Sequence, residues 1–166
     1  MLRHTMDRLV ISNISTYKAI ALDAHKSMQE LLDAGRRPKD DGSPGYILTY
    51  DPDHKCFKQA MITIVFTGMW LDALLHLLIV QDHGLKIFKK YDHKSYEDKI
   101  RFLGCSDQHI LDEVKKFRAL RNELVHEKAY CDDGQLKTAQ DEADNAYNLL
   151  VSVDKFFGFL KNRERT

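Results

Sequence analysis

The chain reads as all-α: an antiparallel bundle of four main helices with one or two short ones. Apolar residues recur at spacings of three and four through its long stretches, as one face of a helix requires. All three prolines, Pro38, Pro44 and Pro52, fall in one inter-helix segment, so the rest is free of helix breakers. No strand-like alternation and no internal repeat competes with this pattern.

Ile11, Ile14, Tyr17, Ala21, Ala24, Met28 and Leu31 predict a first helix from about Asp7 to Ala34, stopped by Gly35. Residues 36–54 form a long loop, with a short extended stretch at 46–50. A loop of that length tends to be functional or mobile. A second helix runs from about His54 to Gln81, with Asp53 as N-cap and Gly84 as terminator. It is apolar on nearly every side, which marks the central helix of the bundle. Met61 to Val80 approaches the length of a membrane span. Asp72 and His76 interrupt it at a cost lipid would not repay, so it is read as a buried helix with no membrane partner.

Leu85 to Tyr91 suggests a short basic turn of helix. Ser95 with Asp98 resembles a capping box opening a short helix through Ile100 and Leu103, closed by Gly104. Ser106 or Asp107 caps the next long helix, which extends to about Lys128 before Cys131–Gly134 breaks the chain. Leu136, Ala139, Ala143, Ala146, Leu150, Val153, Phe157 and Leu160 then stripe a last helix, read as core packing rather than a zipper.

A chain of 166 residues with 43% hydrophobic and 30% charged residues suits a single folded domain, residues 1–166. Lys plus Arg equals Asp plus Glu at 25 each, whereas a general nucleic-acid binder is basic. Any nucleic-acid contact must come from a local patch or from pairing two chains. Cys56, Cys105 and Cys131 match no disulfide framework or metal knuckle. With no signal-peptide pattern at the start, a reduced cytoplasmic protein is expected.

The segment 118–130 holds the chemistry: Arg121, Asn122 directly after it, and His126 five positions on. At about 100° per residue, Ile110, Val114, Phe117, Leu120 and Leu124 share one side of the helix. Arg121 falls inside that apolar sector. His126 lies about 140° around from it, with Arg118 and Asn122 between. A cation on an apolar face needs a partner or a task. Asp72 is the acid within the apolar stretch of the second helix, and an Arg121–Asp72 pair is the expected contact. Gly68, on the same face, marks a place for another backbone to approach. An arginine held in this way can also grip a phosphate with two parallel N–H bonds.

The Arg-Asn-x3-His kernel, in the penultimate main helix and three residues after Arg118, resembles the signature helix of HEPN domains. The apolar helix with Asp72 and the Lys99–Leu103 stretch are similar to that family too. The resemblance implies metal-independent, cofactor-free RNA cleavage at a site shared by two chains, in a toxin, defence or stress role. It makes His126 the general acid or base, Arg121 the stabiliser of phosphate charge, and Asn122 an orienting group. Asp72, Arg118 and Tyr130 would support the site, and Lys115 and Lys128 would contact RNA. A separate antitoxin or regulatory protein would be a partner. Toxins paired with a nucleotidyltransferase antitoxin often carry a tyrosine two residues after the histidine. Here that position is Lys128, and Tyr130 lies four residues after. The alternative is a catalytically inactive helical module that binds a protein or ligand.

Other clusters are blander. Asp51, Asp53, His54 and Cys56 read as a turn and helix cap, since their spacing matches no zinc site. Lys86 to Lys94 reads as a solvated basic surface, and Cys105 has no histidine partner fixed by sequence.

Overall fold

The computed structural model describes residues 13–49, 51–125 and 138–163. These form α1 (Ile14–Ala34), β1 (Arg36–Pro38), β2 (Tyr46–Leu48), α2 (Lys55–His83), α3 (Leu85–Tyr91), α4 (Tyr96–Phe102), α5 (Gln108–Val125) and α6 (Ala139–Arg163). The fold is all-α, a helical bundle with a two-stranded hairpin beside it. The expected start of α1 at Asp7, the end of α5 at Lys128 and the break at Cys131–Gly134 lie outside the described residues.

The central place of α2 follows from its composition. Ala60, Ile64, Trp70, Leu71, Leu75 and Ile79 are all buried, and they point in several directions around the helix. α1 packs along one side and α6 along another. α2 is long and apolar enough to cross a membrane by length and composition, yet most of its most apolar window is buried within the bundle. From α6, Ala143, Ala146, Leu150, Val153 and Phe157 turn into the same core, with Leu149 beside them. At the rim, α1 and α6 are tied by polar pairs. Lys18 Nζ meets Asp154 at 2.7 Å, and Asp144 Oδ1 takes His25 and Gln29 at 2.7 and 2.6 Å. His25 also stacks flat on Tyr147, with ring centroids 4.0 Å apart. Such part-exposed ion pairs contribute about 0–1 kcal/mol each, so apolar burial carries the assembly and the pairs set its register.

Two local expectations change. In the loop of residues 36–54 the extended stretch expected at 46–50 is present as β2, and it pairs with β1 in an antiparallel hairpin, not expected, in which Arg36 faces Leu48 and Pro38 faces Tyr46. Its turn is held by Asp41 Oδ1, which accepts from Ser43 N at 3.0 Å and Ser43 Oγ at 2.7 Å. Pro38 is tolerated because a two-stranded ribbon is all edge. At the start of α2, Asp53 is not the cap. His54 precedes the helix with φ 52°, and the Cys56 N–H donates instead to Asp51 Oδ2 at 2.9 Å. The Asp51–His54 turn closes through His54 N to Asp51 O, placing Asp51 over the helix start while Asp53 pairs outward with Lys55. Elsewhere the caps match their signals. Ser95 Oγ accepts from Asp98 N, Asp107 Oδ1 accepts from His109 N, and Gly84 and Gly104 take positive φ.

Candidate functional site

α5 lays Ile110, Val114, Phe117 and Leu120 into the core. The next residue on that flank is Arg121, and the structure gives it a seat. Gly68 lies under its side chain so closely that a methyl added there would be 2.7 Å from Nε and 2.9 Å from Cδ. The expected backbone approach at Gly68 is therefore an approach by the arginine side chain. The missing Cβ leaves room for it.

Arg121 Nη1 donates to Asp72 Oδ2 at 3.0 Å and also to the hydroxyl of Tyr96. Asp72 is the partner expected from the sequence. Tyr96, at the first position of α4, was not among the expected site residues. Its helix showed the signal: Tyr96, Lys99 and Ile100 are spaced by three and four, and all three are buried. Burial pushes the Tyr96 phenol well above its ordinary range, and the neighbouring Asp72 carboxylate adds to that shift. Tyr96 therefore stays a neutral hydrogen-bonding group.

Both contacts that hold Arg121 use Nη1. Among the described residues Nη2 has no partner, and the side chain is 30% exposed. Among the described residues the guanidinium is thus anchored at one nitrogen and unpaired at another. One turn earlier, Arg118 donates through Nη2 to Glu97 Oε1 at 3.1 Å. That contact leaves Arg118 Nε and Glu97 Oε2 buried and unpaired, and it withdraws Arg118 from the polar strip expected along α5. Lys115 and Asn122 are exposed on the helix surface. His126, Lys128 and Tyr130 lie outside the described residues.

Two hollows flank this cluster. A groove of about 480 Å³ between α5 and α6 is lined by Glu113, Glu123 and Glu142, acids that repel a phosphodiester. A cleft of about 400 Å³ shares Asp72 with the Arg121 site and is walled by α1, α2, α3 and α4. Among the described residues no group of three or more His, Cys, Asp or Glu side chains is placed to hold a metal ion. Cys56 and Cys105 are buried, and burial raises both thiols above their ordinary range, which disfavours a thiolate nucleophile. No family model, curated protein or solved structure matches the chain.

Proposed function

We propose that the chain is a small endoribonuclease of the HEPN type, cleaving RNA without a metal at a site completed by a second copy of itself. The observation that carries this is Arg121: a cation seated on Gly68, held by Asp72 and Tyr96 through one nitrogen, with Nη2 unpaired among the described residues. A preoriented guanidinium is worth more to a transition state than a mobile one, because it loses no freedom when charge develops. In the proposed reaction His126 removes the proton from a ribose 2′-OH, whose oxygen attacks the adjacent phosphorus. The bond to the 5′-oxygen breaks, a protonated imidazole supplies the leaving group with its proton, and a 2′,3′-cyclic phosphate remains. Arg121 neutralises the charge on the five-coordinate phosphorus. Asn122 orients the histidine or a phosphate oxygen, and Lys115 and Lys128 meet the backbone. A toxin, defence or stress role in the cytoplasm, under a separate antitoxin or regulator, fits such an activity.

One observation favours a second reading, a silent interaction module. Asp72 and Glu97 neutralise both arginines of α5, which weakens its pull on a polyanion. The two readings separate in one experiment, in which purified protein is incubated in EDTA with RNA and with DNA of the same sequence. RNA alone should be cut, and Arg121→Ala and His126→Ala should each slow cleavage by about 100-fold or more with helical content intact. Undiminished cutting by the His126→Ala protein would sink the catalytic assignment. A parent protein that cuts nothing leaves the module.

A further inference from the structure

The cleft beside Asp72 has an unusual chemical inventory. Tyr17 comes from α1, Asp72 and His76 from α2, Phe88 from α3, Asp92 from the residue after it, and Lys99 from α4. Phe88 and His76 stack face to face at 4.0 Å with 29° between their planes, so each ring covers one face of the other and keeps only its outer face for a ligand. Lys99 is only 8% exposed, yet among the described residues it makes no ion pair. Its stem is buried while its ammonium is not among the buried side-chain atoms that lack a hydrogen-bond partner, so the charge opens on the cleft, where a ligand can receive its hydrogen bonds. Asp92 also lines the cleft without an ion pair among the described residues.

We propose that this cleft is a guanine subsite that seats the base flanking the cleaved phosphate, a proposal that rests on the ribonuclease reading. Its volume lies at the small end of ligand pockets, suited to a base rather than a longer oligomer. The inventory on its walls is two carboxylates that accept and one ammonium that donates. A free phosphate meets two like charges there, and an aliphatic ligand leaves Lys99 unpaired. Among the bases, guanine alone presents two adjacent N–H donor groups and one carbonyl acceptor on a single edge. N1–H and the 2-amino group suit Asp72 and Asp92, and O6 suits Lys99. An outer face of the stacked His76–Phe88 pair can accept the base's face, as aromatic side chains do for stacked bases. Because Asp72 belongs both to this cleft and to the Arg121 anchor, a base held here puts its own phosphate near Nη2.

The test separates base binding from cleavage. Guanosine, adenosine, cytidine and uridine are titrated into the full chain and followed by NMR, and cut ends from a random RNA are sequenced. Guanosine should bind about tenfold more tightly than the other three, and guanine should be enriched on one side of the cut. Lys99→Met and Asp92→Asn should each weaken guanosine binding about tenfold. Asp92→Asn, at an exposed position, keeps the test valid if Lys99→Met fails to fold. Equal binding of all four nucleosides, or guanosine binding unchanged in Asp92→Asn and in folded Lys99→Met, overturns the subsite. RNA cutting without guanine preference removes the subsite and keeps the nuclease. Lys99-dependent guanosine binding by a protein that cuts nothing keeps the subsite and removes the nuclease.

Discussion

Gly68→Ala is the sharpest perturbation of the Arg121 site, because it touches no group that could itself do chemistry. The added methyl would lie 2.7 Å from Arg121 Nε, 2.9 Å from Cδ and 3.1 Å from Cζ. Carbon contacts settle near 3.5–4.0 Å, so the guanidinium must retreat by about 1 Å. The obstacle is the far end of a flexible, part-exposed side chain, and moving it strains little. Losing its contacts to Asp72 and Tyr96 costs about 1–2 kcal/mol, discounted because water reaches the 30%-exposed arginine and the 45%-exposed Asp72. Replacing an interior helix glycine with alanine returns about 1 kcal/mol. Stability should therefore stay within about 1 kcal/mol of the parent. Activity should not, since a 1 Å misplacement of a catalytic group costs about 100-fold. Chemical unfolding and EDTA-resistant RNA cleavage, measured on the same preparation, give both numbers. Parent-level cleavage would show that Arg121 need not sit where Gly68 lets it. A loss of several kcal/mol would show the arginine to be a rigid strut instead of a movable ligand for phosphate.

Gly158→Ala is the matching control on α6, where an added Cβ meets nothing within 4 Å. It should stabilise the fold by about 0.5–1 kcal/mol, seen as a raised unfolding midpoint, and leave cleavage unchanged. Tyr96 makes a prediction in alkali. Its folded pKa is raised, so its contribution is fully present below the unfolded value near 10 and drains away as pH climbs beyond it. The parent should lose up to about 1.4 kcal/mol of stability per pH unit above 10 more than Tyr96→Phe does. Parallel stability curves for the two proteins would remove Tyr96 from its assigned place.

Sequence periodicity located the helices because burial imposes it: α2 has to be apolar all round to sit between α1 and α6, and α6 has to be striped to face one side. The Arg121–Asp72 pair was readable for a similar reason. An arginine in an apolar sector and an acid in the apolar part of α2 leave each other as natural partners. Tyr96 and Lys99 were harder to foresee. They lie on a seven-residue helix, where one set of residues spaced by three and four is a faint signal of an inward face, and Lys99 breaks the rule that lysine stays outside. The cap of α2 escaped because an Asp-Pro-Asp-His turn offers two acids to the helix start, and only the path of the turn decides that Asp51 takes the Cys56 N–H. Of the hairpin, the extended stretch at 46–50 was legible and its partner Arg36–Pro38 was not, because a three-residue strand holding a proline is shorter than any pattern that would announce it.

The charge on α5 bears on why one copy is not enough for the proposed chemistry. Its described cations are Lys115, Lys116, Arg118 and Arg121. Glu97 and Asp72 neutralise the two arginines, and the groove beside the helix is lined with glutamates. A single helix therefore presents little net positive field to an RNA backbone, in keeping with a chain of zero net charge. The same pairs have a second effect: they hold the guanidinium still, and a fixed donor aimed at one phosphate can serve catalysis better than a strong field spread over many. Such a site binds weakly and stabilises selectively. It gains most from a partner that brings a second Lys115, a second Lys116 and a second Nη2 to the same phosphate. On the proposed reading, the acids that weaken the pull of one copy on RNA would serve a composite site, since each half would grip nucleic acid poorly until two halves met.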